Sequence, residues 1–178
     1  MELSCWIQTV SGKRVDLLSP SSEEIDILDI AHALSLSCRF NGQCRLFYSV
    51  AEHCVRVSNL VRPSIILHAL LHDAAEAYLP VCPRPIKGAL GGFKEIERGL
   101  EEVIFGKWVK HLDHEQVKIA DNIMLATEGR DLMGNTDGWF LPELPLPSVI
   151  VPWDSKRAEQ QFLRVFFDNC ERKEGEGE

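Results

Sequence analysis

No run of apolar residues in this chain approaches the roughly 20 that a membrane-spanning helix needs, so no membrane partner is expected. No basic stretch followed by an apolar one opens it, so a secretory leader is not expected either. Positive charge is in short supply. Nineteen Lys and Arg against 27 Asp and Glu leave a formal charge of -8, which argues against a general nucleic-acid binder. The deficit says little about a small anionic ligand, because a local pocket of Arg and Lys can oppose the overall field. The six cysteines (Cys5, Cys38, Cys44, Cys54, Cys82 and Cys170) lack any C-x-x-C spacing and form no dense framework. They read as reduced thiols of a cytosolic protein, mostly engaged in packing. No internal repeat and no shift in composition marks a second domain.

What is present suits one globular domain with a real core: 178 residues, 45% of them hydrophobic. Short alternating runs around Ser11-Gly12 read as a small hairpin over residues 5–18. Asp29 is a plausible N-cap for a helix from Ile30 to about Cys38, ended by Arg39-Phe40-Asn41-Gly42, where Asn-Gly signals a turn. Ser49, with Glu52 three residues later, predicts a capping box for a helix whose inward stripe is Val50, Cys54, Val57 and Val61. Pro63 suits the first turn of the next helix, which carries Leu67 to Glu76 without Pro, Gly or a β-branched residue. A stiff proline-rich loop from Pro80 to Pro85 ends at Lys87. Helices over Phe93–Val109, over residues 114–128 and from an Asp154 cap onward complete the pattern, with an extended connection over residues 134–152. The expectation is an all-α bundle of about six helices with a small N-terminal β-hairpin, and a disordered acidic tail over residues 173–178.

The chemistry concentrates on Leu67-His68-Ala69-Leu70-Leu71-His72-Asp73-Ala74-Ala75-Glu76. Positions three and four apart share a helix face, so Glu76 neighbours His72 and Asp73. Burying such groups is costly unless they pair or bind an ion. His53, on the preceding helix, lies close to its apolar stripe. Asp121 is an acid inside the otherwise apolar stretch Ile119-Ala120-Asp121-Asn122-Ile123-Met124-Leu125. His53, His72, Asp73 and Asp121 make a mixed nitrogen and oxygen set that suits Zn, Mn, Co, Ni or Fe(II) and is too nitrogen-rich for a dedicated Mg or Ca cage. His32 and His68 read as structural or supporting histidines near the core, and His111 and His114 as surface or capping groups.

The order His53, His72-Asp73, Asp121 resembles the H…HD…D signature of the HD-domain metal-dependent phosphohydrolases. The likeness extends to their small nucleotide-directed branch over roughly residues 5 to 133. Arg39-Phe40, fourteen residues before His53, stands where 5′-deoxynucleotidases carry an Arg followed by an aromatic. Ser49-Val50-Ala51-Glu52-His53 and His72-Asp73-Ala74-Ala75-Glu76, followed by Pro-x-Pro-x-Lys ending at Lys87, resemble two further motifs of the branch. It includes small phage enzymes that convert dATP to deoxyadenosine and triphosphate.

The resemblance implies a single HD domain over residues 1–172, with His53, His72, Asp73 and Asp121 as metal ligands for Zn, Co or Mn. It implies that Glu76 orients or deprotonates the attacking water, or assists a second divalent ion with the substrate phosphates. Arg39 and Lys87 would hold phosphate oxygens. Phe40 would pack on sugar or base, and the surroundings of Phe40, Gly42 and the loop ending at Pro85 would read base identity. The implied function is a dATP triphosphohydrolase, cytoplasmic (in the host cytoplasm if phage-encoded) and homo-oligomeric as a dimer or hexamer. Its alternative is a 5′-deoxynucleotidase acting on monophosphates. One departure stands out: Pro80-Val81 replaces the Gly-Asp whose carboxylate reads the sugar 3′-hydroxyl, so sugar choice would rest on steric exclusion by Phe40. A metal- or nucleotide-binding module without turnover is the reading from a different class.

Overall fold

A computed structural model describes residues 5–170, the side chains of Arg84 and Pro85 excepted. The acidic tail lies outside the described residues. The chain is mostly helical with one small antiparallel hairpin, β1 (Trp6–Gln8) against β2 (Arg14–Asp16), in which Ile7 faces Val15. Gly12 turns the hairpin at φ +84°, a conformation glycine adopts without Cβ strain. Seven α-helices follow among the described residues: α1 (Ile27–Leu36), α2 (Val50–Ser58), α3 (Ile66–Leu71), the single turn α4 (Arg84–Lys87), α5 (Phe93–Trp108), α6 (His114–Leu132) and α7 (Ser155–Cys170). Among the described residues no helix is long and apolar enough to cross a membrane.

Local chemistry explains most boundaries, and it moves one cap. The N-cap of α1 is Asp26, whose carboxylate accepts from the Leu28 amide; Asp29 lies inside the first turn instead. There Asp29 is buried, and its two oxygens accept from the amide and hydroxyl of Ser11, tying the hairpin turn to α1. Ser49 caps α2 through the Glu52 amide as expected. The box stays half-formed, because the Glu52 carboxylate turns to Arg56 and to the Trp153 amide. Asp113 caps α6 through the Gln116 amide, and Asp154 accepts from the Arg157 amide at the start of α7.

The central stretch over residues 67–76, expected as a single helix, is broken in two. α3 ends at Leu71, and after Asp73 (φ −106°, ψ 17°) the chain tightens into a 3₁₀ turn over Ala74–Ala77. The change of pitch falls on the His-Asp pair.

Two apolar clusters hold the molecule. In the larger, α7 lies across α1, α2 and α3, and Phe162 and Phe166 share it with Leu34, Val50, Cys54 and Leu70. The smaller joins Val57 of α2 and Ala69 of α3 to Val117, Ala120, Met124 and Leu132 of α6. α2 is buried along almost its whole length, so a polar group on it must find a partner inside the protein.

Candidate metal centre

His53 sits in the middle of α2 at 0% exposure, between the two clusters. Its Nε2 lies 3.3 Å from His72 Nε2, 3.4 Å from Asp121 Oδ1 and 3.7 Å from Asp73 Oδ2. His72 Nε2 is 3.4 Å from the same Asp73 oxygen. Tetrahedral ligands on bonds near 2.1 Å stand about 3.4 Å apart, close to the spacings among His53, His72 and Asp73. His53, His72 and Asp73 meet the geometric requirement for holding an ion, and Asp121 approaches from α6 through His53.

Both imidazoles are set for that role by the hydrogen bond on the far side of the ring. His72 Nδ1 donates to the Ala69 carbonyl at 2.8 Å, and His53 Nδ1 donates to Glu128 Oε1 at 2.6 Å. Each Nε2 therefore turns toward its neighbours, the arrangement in which an outer partner fixes the tautomer of a ligating histidine. Glu128 is wholly buried two helical turns after Asp121 on α6, and its other oxygen accepts from Arg39 Nη2 at 3.1 Å. Sequence reading missed it. The signal was the i, i+7 spacing from Asp121, which places both carboxylates on one face.

Charge in the cluster is tightly balanced. Burial and the Arg39 guanidinium push the His53 imidazolium down, but Glu128 and Asp121 outweigh them and lift its pKa to about 9. Burial alone would raise Asp121; its hydrogen bond to His53 and the charges of His53, His72 and Arg39 hold it well below the usual carboxylate range. Asp73 is likewise lowered, with burial overcome by His72, Arg39 and His53. Glu76 goes the other way: burial, then the Asp73 charge, push its carboxyl up to about 8. Its Oε2 is buried without a hydrogen-bond partner among the described residues.

Arg39 enters from the opposite side, with Nη1 3.3 Å from Asp73 and its guanidinium over the Phe40 ring. Its turn is sharp: Phe40 and Asn41 both hold left-handed backbone, at φ +54° and +53°. Phe40 packs on Trp139 with ring centroids 5.7 Å apart. Gly42 is exposed and outside the cluster. Lys87 points its ammonium to Glu97 of α5 and only its field reaches Glu76 and Asp73. Pro85 has its side chain outside the described residues.

His68 accepts from the Asp113 amide at 3.0 Å and meets Phe105 and His114 edge-on, a buried ring that desolvation holds neutral with a pKa of about 4. Beside the ligands, a cavity of about 230 Å³ opens between α3, α5 and α6, lined in part by His72, Asp73, Asp121, Glu101, His114 and Lys118. Glu101 of α5 lines it; burial, Glu97 and Asp73 push its carboxyl up to about 7.

No family model matches the chain. It is similar to an uncharacterized protein of Rhodobacter capsulatus, RCAP_rcc00048, at 41% identity over 109 residues, 56% of each chain. To the uncharacterized Escherichia coli K12 protein YfdR it is 40% identical over 172 residues, 93% of this chain and 96% of that one. With that identity over nearly the full length of both, the chain belongs to the family of YfdR.

Proposed function

We propose that the protein is a metal-dependent phosphohydrolase of the HD-domain type that acts on deoxynucleotides, with dATP as preferred substrate and deoxyadenosine and triphosphate as products. The observation that carries this reading is the mutual approach of His53 Nε2, His72 Nε2 and an Asp73 oxygen at 3.3–3.7 Å, with an Asp121 oxygen 3.4 Å from His53 Nε2. A divalent ion held by these four groups would lower the pKa of water and polarise a phosphoryl oxygen. Zn, Co and Mn all accept such a mixed donor set.

The remaining roles belong to side chains of the chain itself. Glu76 carries a buried carboxylate oxygen with a free acceptor position and takes the proton of the attacking water. Water adds to the α-phosphorus, the bond to the 5′-oxygen breaks, and the nucleoside leaves with a proton on that oxygen. Arg39 balances phosphate charge from the Asp73 side, where its fork already engages two carboxylates. Lys87 adds a second positive charge near Glu76. Phe40 lies next to Arg39 and packs on the nucleoside, excluding a 2′-hydroxyl. Such a protein would work in the cytoplasm as a dimer or hexamer.

A panel of deoxynucleoside mono- and triphosphates, incubated with Mn, Co or Zn and resolved by product, tests the reading. Triphosphate released from dATP is the expected outcome. Turnover confined to dAMP moves the protein to the monophosphate-directed branch, and metal binding without hydrolysis of any nucleotide refutes the enzyme reading.

A further inference from the structure

Two of the six thiols flank the turn that carries Arg39. Cys38 Sγ and Cys44 Sγ lie 3.8 Å apart, and the Cys44 thiol donates to the Arg39 carbonyl at 3.2 Å. The backbone pins both flanks. Cys38 forms an isolated antiparallel bridge with Ser49, the Arg39 amide donates to Tyr48, and the Arg45 amide donates to Leu132 on α6. Between them Phe40, Asn41 and Gly42 all hold positive φ and turn the chain back on itself. The meeting of the sulfurs is thus set by the main chain. Both residues are partly exposed, so a small oxidant can reach them.

We propose that Cys38 and Cys44 form a redox-sensitive pair whose disulfide closes the Arg39–Phe40 turn and fixes the Arg39 guanidinium against Asp73 and Glu128. This rests on the turn's geometry and is independent of what the site hydrolyses. A disulfide bond is about 2.04 Å long, so the sulfurs must approach by roughly 1.8 Å, a distance that a χ1 rotation of either side chain covers.

The oxidant is a low-molecular-weight disulfide. Cys38 gives up its proton to solvent, and its sulfur attacks the oxidant to form a mixed disulfide, releasing one small thiolate. Cys44 then loses its proton and attacks the Cys38 sulfur, releasing the second. Two protein thiols are oxidised and one external disulfide is reduced to two thiols. Burial, then the neighbouring Cys38, push the Cys44 thiol up to about 12, which makes it the resolving partner.

The sequence supplies its own assay. Trypsin cuts after Arg14, Arg39 and Arg45, so the disulfide joins peptide 15–39 to peptide 40–45. The full-length protein is treated with oxidised glutathione and free thiols are alkylated before denaturation and digestion. The expected result is the linked pair, two hydrogens lighter than its separate halves, its absence after reduction, and its absence in Cys38→Ser and Cys44→Ser. Amide exchange across residues 40–43 slows several-fold in the oxidised wild type and is unchanged by the same treatment of Cys44→Ser. Separate glutathione adducts on Cys38 and Cys44, pairing of either with another cysteine, or unaltered exchange in the linked form would overturn the proposal.

Discussion

Two imidazoles can serve one ion only if each presents the nitrogen that lacks a hydrogen. His72 achieves this locally, through the carbonyl three residues back on its own helix. His53 needs Glu128, brought from 75 residues away on another helix. Replacing Glu128 by Ala should therefore weaken metal binding about 10–100-fold while leaving all four ligands in place. Calorimetric titration with Co(II), beside an unchanged far-ultraviolet circular dichroism spectrum, checks it; undiminished affinity would reduce Glu128 to a partner of Arg39. Asp73→Ala should abolish the proposed metal binding and the proposed hydrolysis together, because one Asp73 oxygen approaches both imidazoles. His53, His72, Asp73 and Asp121 were legible in the sequence through their order along the chain and, for His72, Asp73 and Asp121, as polar groups in apolar stretches. Glu128 was not, because its surroundings, Thr127-Glu128-Gly129-Arg130, look like an exposed helix end. Thr127, Glu128 and Gly129 are buried because residues 134–151 fold back over them, with Thr127 accepting from the Leu146 amide and the exposed Arg130 donating to the Leu146 and Ser148 carbonyls.

At the scale of elements, capping and close approach are the testable features. Asp26 accepts from the Leu28 amide and pairs with Lys13 at 2.7 Å. Loss of the cap in Asp26→Ala should cost about 1 kcal/mol in urea unfolding. Lys13, then the Leu28 amide, hold the Asp26 carboxyl below its ordinary range. A lowered folded pKa means stabilisation is present above the unfolded value of about 3.9 and lost as pH falls through the folded one. The gap between wild type and Asp26→Ala should stay constant above about pH 5 and narrow as pH falls below it.

Gly129 is the other feature. A Cβ there would stand 2.9 Å from the Thr136 methyl and 3.6 Å from the Trp139 ring. Gly129→Ala should lower the melting temperature despite the better helix propensity of Ala, and adding Thr136→Ser should recover part of the loss. A gain in stability from Gly129→Ala alone would mean that the 134–139 loop yields freely.

At the scale of the molecule, α7 is the closing element, and Phe162 is its central side chain at 0% exposure. Phe162→Ala should cost about 3–5 kcal/mol by urea unfolding, through lost burial and the cavity left among α1, α2 and α3. The proposed metal ligands come from α2, the end of α3 and α6, so an ion there would join the two apolar clusters. Stripping it with a chelator should lower the melting temperature. Restoring it at about 100 times its dissociation constant should return about 2.7 kcal/mol. A melting temperature indifferent to chelator and to added metal would count against an ion at this place.

The amino-acid sequence by itself determined the helical class, the hairpin, the caps at Ser49 and Asp154 and the presence of polar residues that the fold gathers around His53. Each is a local matter of periodicity, side-chain capping or a polar residue in an apolar run. The tertiary structure alone decided that α3 stops at its His-Asp pair, that Glu128 holds His53 and that Arg39 meets Asp73. It also decided that Cys38 and Cys44 share a turn. These depend on which distant backbone segments lie against one another, and packing free energy summed over the whole chain settles that.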